Sequence, residues 1–474
     1  MYSKAKSCVV VNGVQSNMFP CNIGVRQGEN LSPLLFAIYL SDLETFLADK
    51  FNGLNHITEL STQYLEDDDV VRYLKLYILL YADDTVLLAE SPAELQSALN
   101  AMQQYCNMWK LSINTEKTKI MLFSRGKVRI RPAFDFGGSL LDYTDEYSYL
   151  GVIFNYNGKF TKARKCMYDK ASRAMFALLG KSRRLNFPVD LQLQLFDVLV
   201  VPILLYGSEI WSHENCELVE KLHLRYCKYL LKVNGKTYRN MVYGELGRMP
   251  LSVLMQLRTV TFWGRLLTGD QTKLSSIMYR LLYSLDATGT YSSPWLVNIK
   301  NILNNTGLSY MWLNQNINGD IESLKQELRT RLHDQYRQSW SAEVFASGKC
   351  LNYRIFKTEL KFEMYLLQLP PPLCHIVTKF RCRNHKLPIE IGCHNNIDRN
   401  LRLCNRCDLG EIGDEYHYLF KCRSLSIERK TYLPPYCLSN PSTFKFNSVM
   451  NYENKHHQDK LAKFIQIIHK SFRQ

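Results

Sequence analysis

No stretch of this 474-residue chain is both uncharged and apolar for long enough to span a bilayer. A membrane partner is therefore not expected. The segment from Met1 to Val11 lacks the apolar core of a secretory leader. The expected location is intracellular, nuclear or cytoplasmic, and the 14 cysteines read as thiols or metal ligands rather than a disulfide framework. Internal repeats and long low-complexity tracts are also missing, which excludes solenoid and disordered classes. Acid is in short supply: 44 Asp and Glu face 59 Lys and Arg, a net charge of +15, and no acid precedes Glu29. An excess of that size points to a polyanionic partner, most often nucleic acid.

What is present is 46% apolar residues, enough for real cores, in a length that suggests about three domains. Charge is uneven: between Lys159 and Arg184 there are nine basic residues and one acid, Asp169. Seven of the 14 cysteines lie between Cys374 and Cys437, with His375, His385, His394 and His417 in the same window. The stretch from Ala287 to Gly319, rich in Asn, Ser and Gly, reads as a loose connector.

Local signals place the motifs. Ser32-Pro33 is a helix start with Ser as N-cap, and Leu34 to Leu40 is apolar all round, predicting a deeply buried helix. Tyr73 to Tyr81 and Thr85 to Ala89 read as two strands joined at a hairpin turn, Ala82-Asp83-Asp84. Ser91-Pro92-Ala93-Glu94 is a capping box, and Leu95, Leu99, Met102, Cys106 and Trp109 then form a helical stripe. Lys119 to Phe123 reads as a strand. From about Thr161 helices dominate. Ala163, Met167, Ala171, Ala174 and Leu178 share one face, while Lys162, Lys165 and Arg173 point away from it.

Two adjacent carboxylates, Asp83 and Asp84, end an apolar strand. Neighbouring acids repel, and burial costs several kcal/mol unless a cation or donor compensates. Aspartate also favours turns, but the flanking runs are too apolar for an ordinary solvated tip. Further along, Cys404-x2-Cys407-x9-His417-x4-Cys422 has the spacing of a four-ligand zinc site. Cys374, Cys382, His385 and Cys393 are near enough to compete, and small buried thiols are the plain alternative. Arg399, Arg402, Arg406, Lys421 and Arg423 would give this module a nucleic-acid-facing surface.

Gly24-Val25-Arg26-Gln27-Gly28-Glu29-Asn30-Leu31-Ser32-Pro33 resembles motif B of reverse transcriptases, and Tyr81-Ala82-Asp83-Asp84 resembles motif C. Ile113-Asn114-Thr115-Glu116-Lys117-Thr118 is similar to motif D, and Tyr149-Leu150-Gly151-Val152 to motif E, the primer grip. Four motifs in order are far more specific than one. The wording is most similar to non-LTR, LINE-like elements. Leu205-Tyr206-Gly207-Ser208-Glu209-Ile210-Trp211 and Tyr243-Gly244-Glu245-Leu246-Gly247-Arg248 resemble segments that follow the polymerase there, and Asp414-Glu415-Tyr416-His417 before Cys422 resembles their Cys-Cys-His-Cys segment.

The resemblance implies an α+β chain: a partial palm of antiparallel sheet and packed helices over 1–155, then a mainly helical thumb over 156–270. A helical connector over 271–369, a Cys/His zinc module over 370–437 and a tail over 438–474 would follow. It implies RNA-templated DNA synthesis by two metal ions, with Mg²⁺ at Asp83 and Asp84 and a role for Lys117 toward the leaving group. Arg26, Gln27, Gly28 and Ser32 would lie against template and nucleotide, and Tyr149, Leu150 and Gly151 against the primer end. Lys162, Lys165, Arg173, Lys181, Arg183 and Arg184 would meet the duplex backbone. Partners would be an RNA template, a DNA primer and dNTPs; Zn²⁺ would sit on Cys404, Cys407, His417 and Cys422. The family's third carboxylate, from motif A, has no counterpart before motif B. The expectation is an N-terminally truncated enzyme that does not polymerise alone. The alternative is a non-catalytic nucleic-acid-binding remnant.

Overall fold

A computed structural model describes residues 6–21, 24–25, 28–48, 50, 78–81, 84–124, 131–317 and 319–472. They divide into two compact units: 1–147 with 155–158 and 270–292, and 148–154 with 159–269 and 293–474. Among the described residues, no helix is long and apolar enough to cross a membrane.

The first unit mixes short strands with helices. Ile78–Tyr81 pairs antiparallel with Asp84–Leu87, in the register Tyr81 opposite Asp84. This is the expected hairpin as far as it is described; residues 73–77 of the expected first strand lie outside the described residues, and the second strand runs from Asp84 to Leu87 rather than from Thr85 to Ala89. Helix Pro92–Met108 starts at the expected capping box: Ser91 Oγ accepts the Glu94 N–H at 3.3 Å, and Glu94 Oε2 accepts the Ser91 N–H at 3.2 Å. Its inner face buries Leu99, Met102 and Cys106, with Leu95 and Trp109 half-buried, against Leu43, Leu47, Ile120, Phe134 and Phe136.

Three expectations are corrected here. Helix Ser32–Tyr39 begins one residue early, with Leu31 at the N-cap, and it is not buried: Leu34 is 56% and Ile38 60% exposed. Its Tyr39 meets the ring and carbonyl of Trp109. The Lys119–Phe123 strand shrinks to Lys119–Ile120, paired in parallel with Asp142–Tyr143. A continuous antiparallel sheet is replaced, among the described residues, by two-stranded pairs of two to four residues each. Such strands are too short to carry a ladder further.

The second unit is helical, and a large core joins the helices of 171–255 to the residues from Trp340 onward. Helix Thr161–Leu185 buries Ala163, Met167, Ala171, Met175, Leu178 and Leu179, and stops at Asn186 in a left-handed conformation. Helices Val189–Leu199, Glu217–Leu230, Arg239–Leu246 and Leu251–Thr268 follow. The expected loose connector is instead largely helix, Pro294–Asn305 and Ser309–Asn314. Pro294 opens the first, and Leu296, Ile299, Ile302 and Leu303 recur at helical spacing and are buried. The Asn-rich composition masks that period. Likewise 438–474 is no tail. Helices Thr443–Met450 and Lys455–Lys470 bury Phe446, Val449, Leu461, Phe464, Ile465 and Ile468 in the same core as the Cys/His segment.

A charge network lies inside this unit. Arg381, wholly buried, donates from Nε to Glu245 Oε2 at 2.8 Å, pairs through Nη2 with Glu363 Oε2 at 3.0 Å, and donates from Nη1 to the Met450 carbonyl at 2.7 Å. Lys357 pairs with the other Glu363 oxygen. Burial alone would push the Glu245 carboxyl up, but Arg381 and Lys357 hold it below its ordinary 4.5. A depressed carboxyl contributes stability that is complete above about 4.5 and is lost as pH falls below it. Thermal stability should therefore drop on acidification below that point, and Glu245→Gln should flatten the drop, as followed by circular dichroism.

Candidate functional site

The polymerase-like residues lie in short, locally ordered turns. Asp84 is the first residue of the return strand Asp84–Leu87 and is exposed, while Val86 and Leu87 behind it are half-buried. Arg26, Gln27, Ala82 and Asp83 lie outside the described residues. Gly28 has φ +89°, and the space where a Cβ would stand is open. Its backbone conformation, rather than close packing, is what calls for glycine. Ser32 is buried at the start of its helix. Lys117 is exposed on an Asn-led turn: Asn114 Oδ1 accepts the Lys117 N–H at 3.0 Å, and the Asn114 carbonyl accepts the Thr118 N–H at 3.0 Å.

At the primer-grip-like turn, Leu150 and Gly151 have φ of +48° and +79°. For leucine that costs roughly 1–3 kcal/mol, so surrounding contacts must fix the turn. They come from the Leu205–Trp211 segment. The Tyr206 hydroxyl donates to the Leu150 carbonyl at 2.8 Å, and a Cβ on Gly151 would stand 3.4 Å from the Tyr206 ring. The Tyr206 carbonyl in turn accepts the indole N–H of buried Trp211 at 2.9 Å, and Arg258 donates to the Leu205 carbonyl at 2.9 Å. Sequence reading identified both segments but not their coupling across 56 residues.

Helix Thr161–Leu185 carries its charge on one side. Lys162, Lys165, Arg173, Lys181, Arg183 and Arg184 are exposed; at about 100° per residue all but Lys181 fall on the side away from Met167, Ala171 and Met175, and Lys181 flanks the buried face. Arg164 departs from this pattern: it is half-buried and pairs with Glu214 at 2.5 Å. Helix Glu217–Leu230 and the turn after it extend the face. Arg225 stacks 5.0 Å from the Phe176 ring, and Arg183 and Lys232 lie 5.1 and 4.0 Å from the Tyr229 ring. Sequence reasoning missed Arg225, Tyr229 and Lys232, which belong to a separate helix and show no charge run of their own.

The Cys/His segment is the most completely built site. Leu403 and Ile412 bridge antiparallel, and the Cys404 N–H donates to the Glu411 carbonyl at 2.8 Å, closing a loop that carries Cys404 and Cys407. The Arg406 N–H donates to Cys404 Sγ at 3.4 Å. A π-helical turn, His417–Lys421, then delivers His417 and Cys422. The four ligand atoms all lie within 4.8 Å of one another. Cys404 Sγ and Cys422 Sγ are 3.9 Å apart, and Cys407 Sγ and His417 Nε2 are 3.4 Å apart. A zinc tetrahedron with bonds of about 2.0–2.3 Å has edges of about 3.5–3.8 Å, so the set fits that ion. Glu411 Oε2 sits 3.1 Å from His417 Nδ1, and Lys421 holds the other Glu411 oxygen at 2.8 Å. The carboxylate fixes Nδ1–H outward, leaving Nε2 free toward a metal. Burial pushes the Cys422 thiol up to about 11. Burial also opposes ionisation of Cys407, but hydrogen bonds from the Leu409 backbone and neighbouring thiols bring it below its ordinary value.

Cys374, Cys382, His385 and Cys393 lie outside this cluster of four. Cys374 points to the Leu366 carbonyl, and His385 Nε2 lies 2.7 Å from Glu415 Oε1. The five basic residues expected to face nucleic acid mostly brace the module. Arg399 lies 3.6 Å from Asp414, Arg423 3.2 Å from Asp408 and Lys421 on Glu411, while Arg402 and Arg406 donate to the Ile397 and Ser471 carbonyls.

The hairpin at Asp84, the Gly28 turn and the Leu150–Gly151 turn all lie within one matched stretch of sequence. Residues 2–154 match the reverse transcriptase family, RNA-dependent DNA polymerases. Similarity to curated proteins covers more of the chain. The RNA-directed DNA polymerase from mobile element jockey of Drosophila melanogaster is 24% identical over 237 residues, 48% of this chain and 23% of that relative. Its Drosophila funebris counterpart is 25% identical over 240 residues, 48% and 24% of the two chains. A transposon-derived protein of Caenorhabditis elegans is 29% identical over 185 residues, 38% of this chain and 63% of that protein. This chain thus spans about a quarter of the length of the jockey polymerases it matches.

Proposed function

We propose that the chain is the palm-to-thumb part, with a C-terminal zinc module, of an RNA-directed DNA polymerase from a non-LTR, LINE-like retroelement. The match over residues 2–154 carries this reading. Its substrates would be an RNA template, a DNA primer and dNTPs. Asp83 and Asp84 would hold Mg²⁺, hard carboxylate oxygens suiting that ion, and the metal would supply activation of the primer 3′ hydroxyl and charge neutralisation at the phosphate. Arg26, Gln27, Gly28 and Ser32 would position template and nucleotide; the Tyr149–Gly151 turn, braced by Tyr206, would hold the primer end. The basic face of Thr161–Leu185 would track the duplex backbone. Zn²⁺ on Cys404, Cys407, His417 and Cys422 would cross-link the C-terminal region.

Two neighbouring carboxylates hold a bridging Mg²⁺ poorly without a third ligand. The 474-residue polypeptide assayed by itself is expected to bind a recessed RNA–DNA hybrid but to extend the primer at background level. Primer extension with Mg²⁺ and dNTPs checks this. Robust incorporation abolished by Asp83→Ala would show that the chain's own ligands suffice and overturn the incomplete-site part of the reading. A second reading, a non-catalytic nucleic-acid-binding protein, draws on the basic face and the Cys/His cluster, which require no polymerase chemistry. It predicts no extension even when an Asp-bearing upstream segment is supplied in trans.

A further inference from the structure

Phe176 is an apolar ring on a polar face. Helix Thr161–Leu185 buries Met167, Ala171, Met175, Leu178 and Leu179, yet Phe176 is 49% exposed. At about 100° per residue it falls within the arc of Lys162, Lys165, Arg173 and Arg183, on the outer side of the helix. Arg225 of helix Glu217–Leu230 lies over the ring, its guanidinium carbon 5.0 Å from the ring centre. Arg225 is itself exposed, and among the described residues no carboxylate pairs with it. A second cation–aromatic cluster lies about 10 Å further along Thr161–Leu185. There Arg183 and Lys232 stand 5.1 and 4.0 Å from the Tyr229 ring, and the Arg183 Nε–H donates to the Tyr229 hydroxyl. The acids on these two helices are Asp169, Glu217 and Glu220. Asp169 and Glu217 are about 10 and 12 Å along their helices from Phe176 and Arg225. Glu220 accepts the Ser252 N–H and the Tyr243 hydroxyl.

The stacked pair selects what can bind. A duplex offers this face sugars and phosphates, and a phenyl ring gains little from either. A base freed from pairing gains from both members of the pair, because its π-face stacks on a phenyl ring or on the plane of a guanidinium. A guanidinium is more weakly hydrated than an ammonium, so covering it costs less. Arg183 and Lys232, one cluster further on, are placed to take a phosphate of the same strand. An acidic peptide would satisfy the cations and leave the ring exposed. We propose that Phe176 and Arg225 form a stacking platform for an unpaired base of single-stranded RNA, without preference among the bases. This role is separate from the tracking of a duplex backbone by the same helix. The proposal rests on the reading of the chain as one that handles an RNA template.

The test is equilibrium binding of the full chain to three probes of equal length. They are single-stranded RNA of mixed sequence, an abasic strand with the same sugar–phosphate backbone, and a blunt RNA–DNA hybrid. Phe176→Leu keeps an apolar side chain and every charge but removes the π-face. It should weaken binding of the base-bearing strand about tenfold. The slope of log affinity against log salt should stay as in the parent, since no phosphate contact is lost. Binding of the abasic strand and of the hybrid should not change. Phe176→Trp, which restores a π-face, should restore binding. Arg225→Lys, which keeps the charge and loses the plane, should weaken the base-bearing strand with the salt slope again unchanged. An undiminished affinity of Phe176→Leu for that strand, an equal loss on the abasic strand or the hybrid, or a loss that Phe176→Trp shares overturns the proposal. Failure of the wild-type chain to bind any of the three probes at low salt would instead sink the nucleic-acid reading beneath it.

Discussion

Cys422→Ser is expected to strip the chain of zinc and loosen the segment from Leu403 to Leu425. The wild-type chain should carry about one zinc after dialysis, as a closed four-ligand site does. Metal analysis and chelator-dependent melting give the readout. The loss should be large, because zinc-binding energies of about 10–16 kcal/mol in small modules are coupled directly to folding. His417→Ala should act in the same direction. Glu411→Gln, which leaves all four ligands but removes the carboxylate behind His417 Nδ1, should weaken affinity by about 10- to 100-fold without abolishing it. Cys393→Ser is the control: Cys393 lies outside the cluster and its loss should leave zinc content unchanged. Wild-type chain free of zinc, or equal damage from Cys393→Ser, would contradict the assignment.

The second large effect is expected at Arg381. Its guanidinium bridges Glu245 and Glu363 and lies 4.6 Å from the Phe356 ring and 5.2 Å from the Tyr365 ring. Arg381→Ala leaves two buried carboxylates with Lys357 alone, and a broken buried pair costs about 3–5 kcal/mol. Arg381→Lys should recover little, since an ammonium cannot reproduce the fork that reaches both acids and the Met450 carbonyl. Pairing Arg381→Met with Glu245→Gln should cost less than the sum of the two single changes, because the second removes the charge the first strands. Urea denaturation midpoints of the four proteins decide it. Strict additivity would show that Glu245 and Arg381 do not act as a pair.

This network also marks a limit of reading from sequence. Glu245 sits in the quoted Tyr243–Arg248 segment, yet its partner is 136 residues away. Nothing local announces it. The same holds for Tyr206 and the Leu150 carbonyl. By contrast the Ser91–Glu94 capping box, the Leu99–Met102–Cys106 stripe and the inner face of Thr161–Leu185 were legible, because each depends on residues within a few turns. The Cys404–Cys422 set was legible for a related reason: its ligands fall within 19 residues, and tetrahedral geometry restricts their spacing. Errors came where composition stood in for periodicity. Asparagine concealed the helix Pro294–Asn305, and the apolar run after Pro33 overstated the burial of a helix whose outer faces remain uncovered among the described residues. The hydrogen bonds of Arg402 and Arg406 to the Ile397 and Ser471 carbonyls, 5 and 65 residues away, have no local sequence signal.

If the proposed function holds, the basic face of Thr161–Leu185 grips a template–primer duplex. Binding of a DNA primer annealed to an RNA template should be measured from low to moderate salt, for the wild-type chain and for Lys165→Ala, Arg173→Ala, Lys181→Ala and Arg184→Ala combined. Each lost phosphate contact lowers the slope of log affinity against log salt by about 0.9, so the combined variant should be shallower by about 2 to 4. A slope unchanged from wild type, with the variant still folded and zinc-loaded, would mean that the duplex is held elsewhere or not at all.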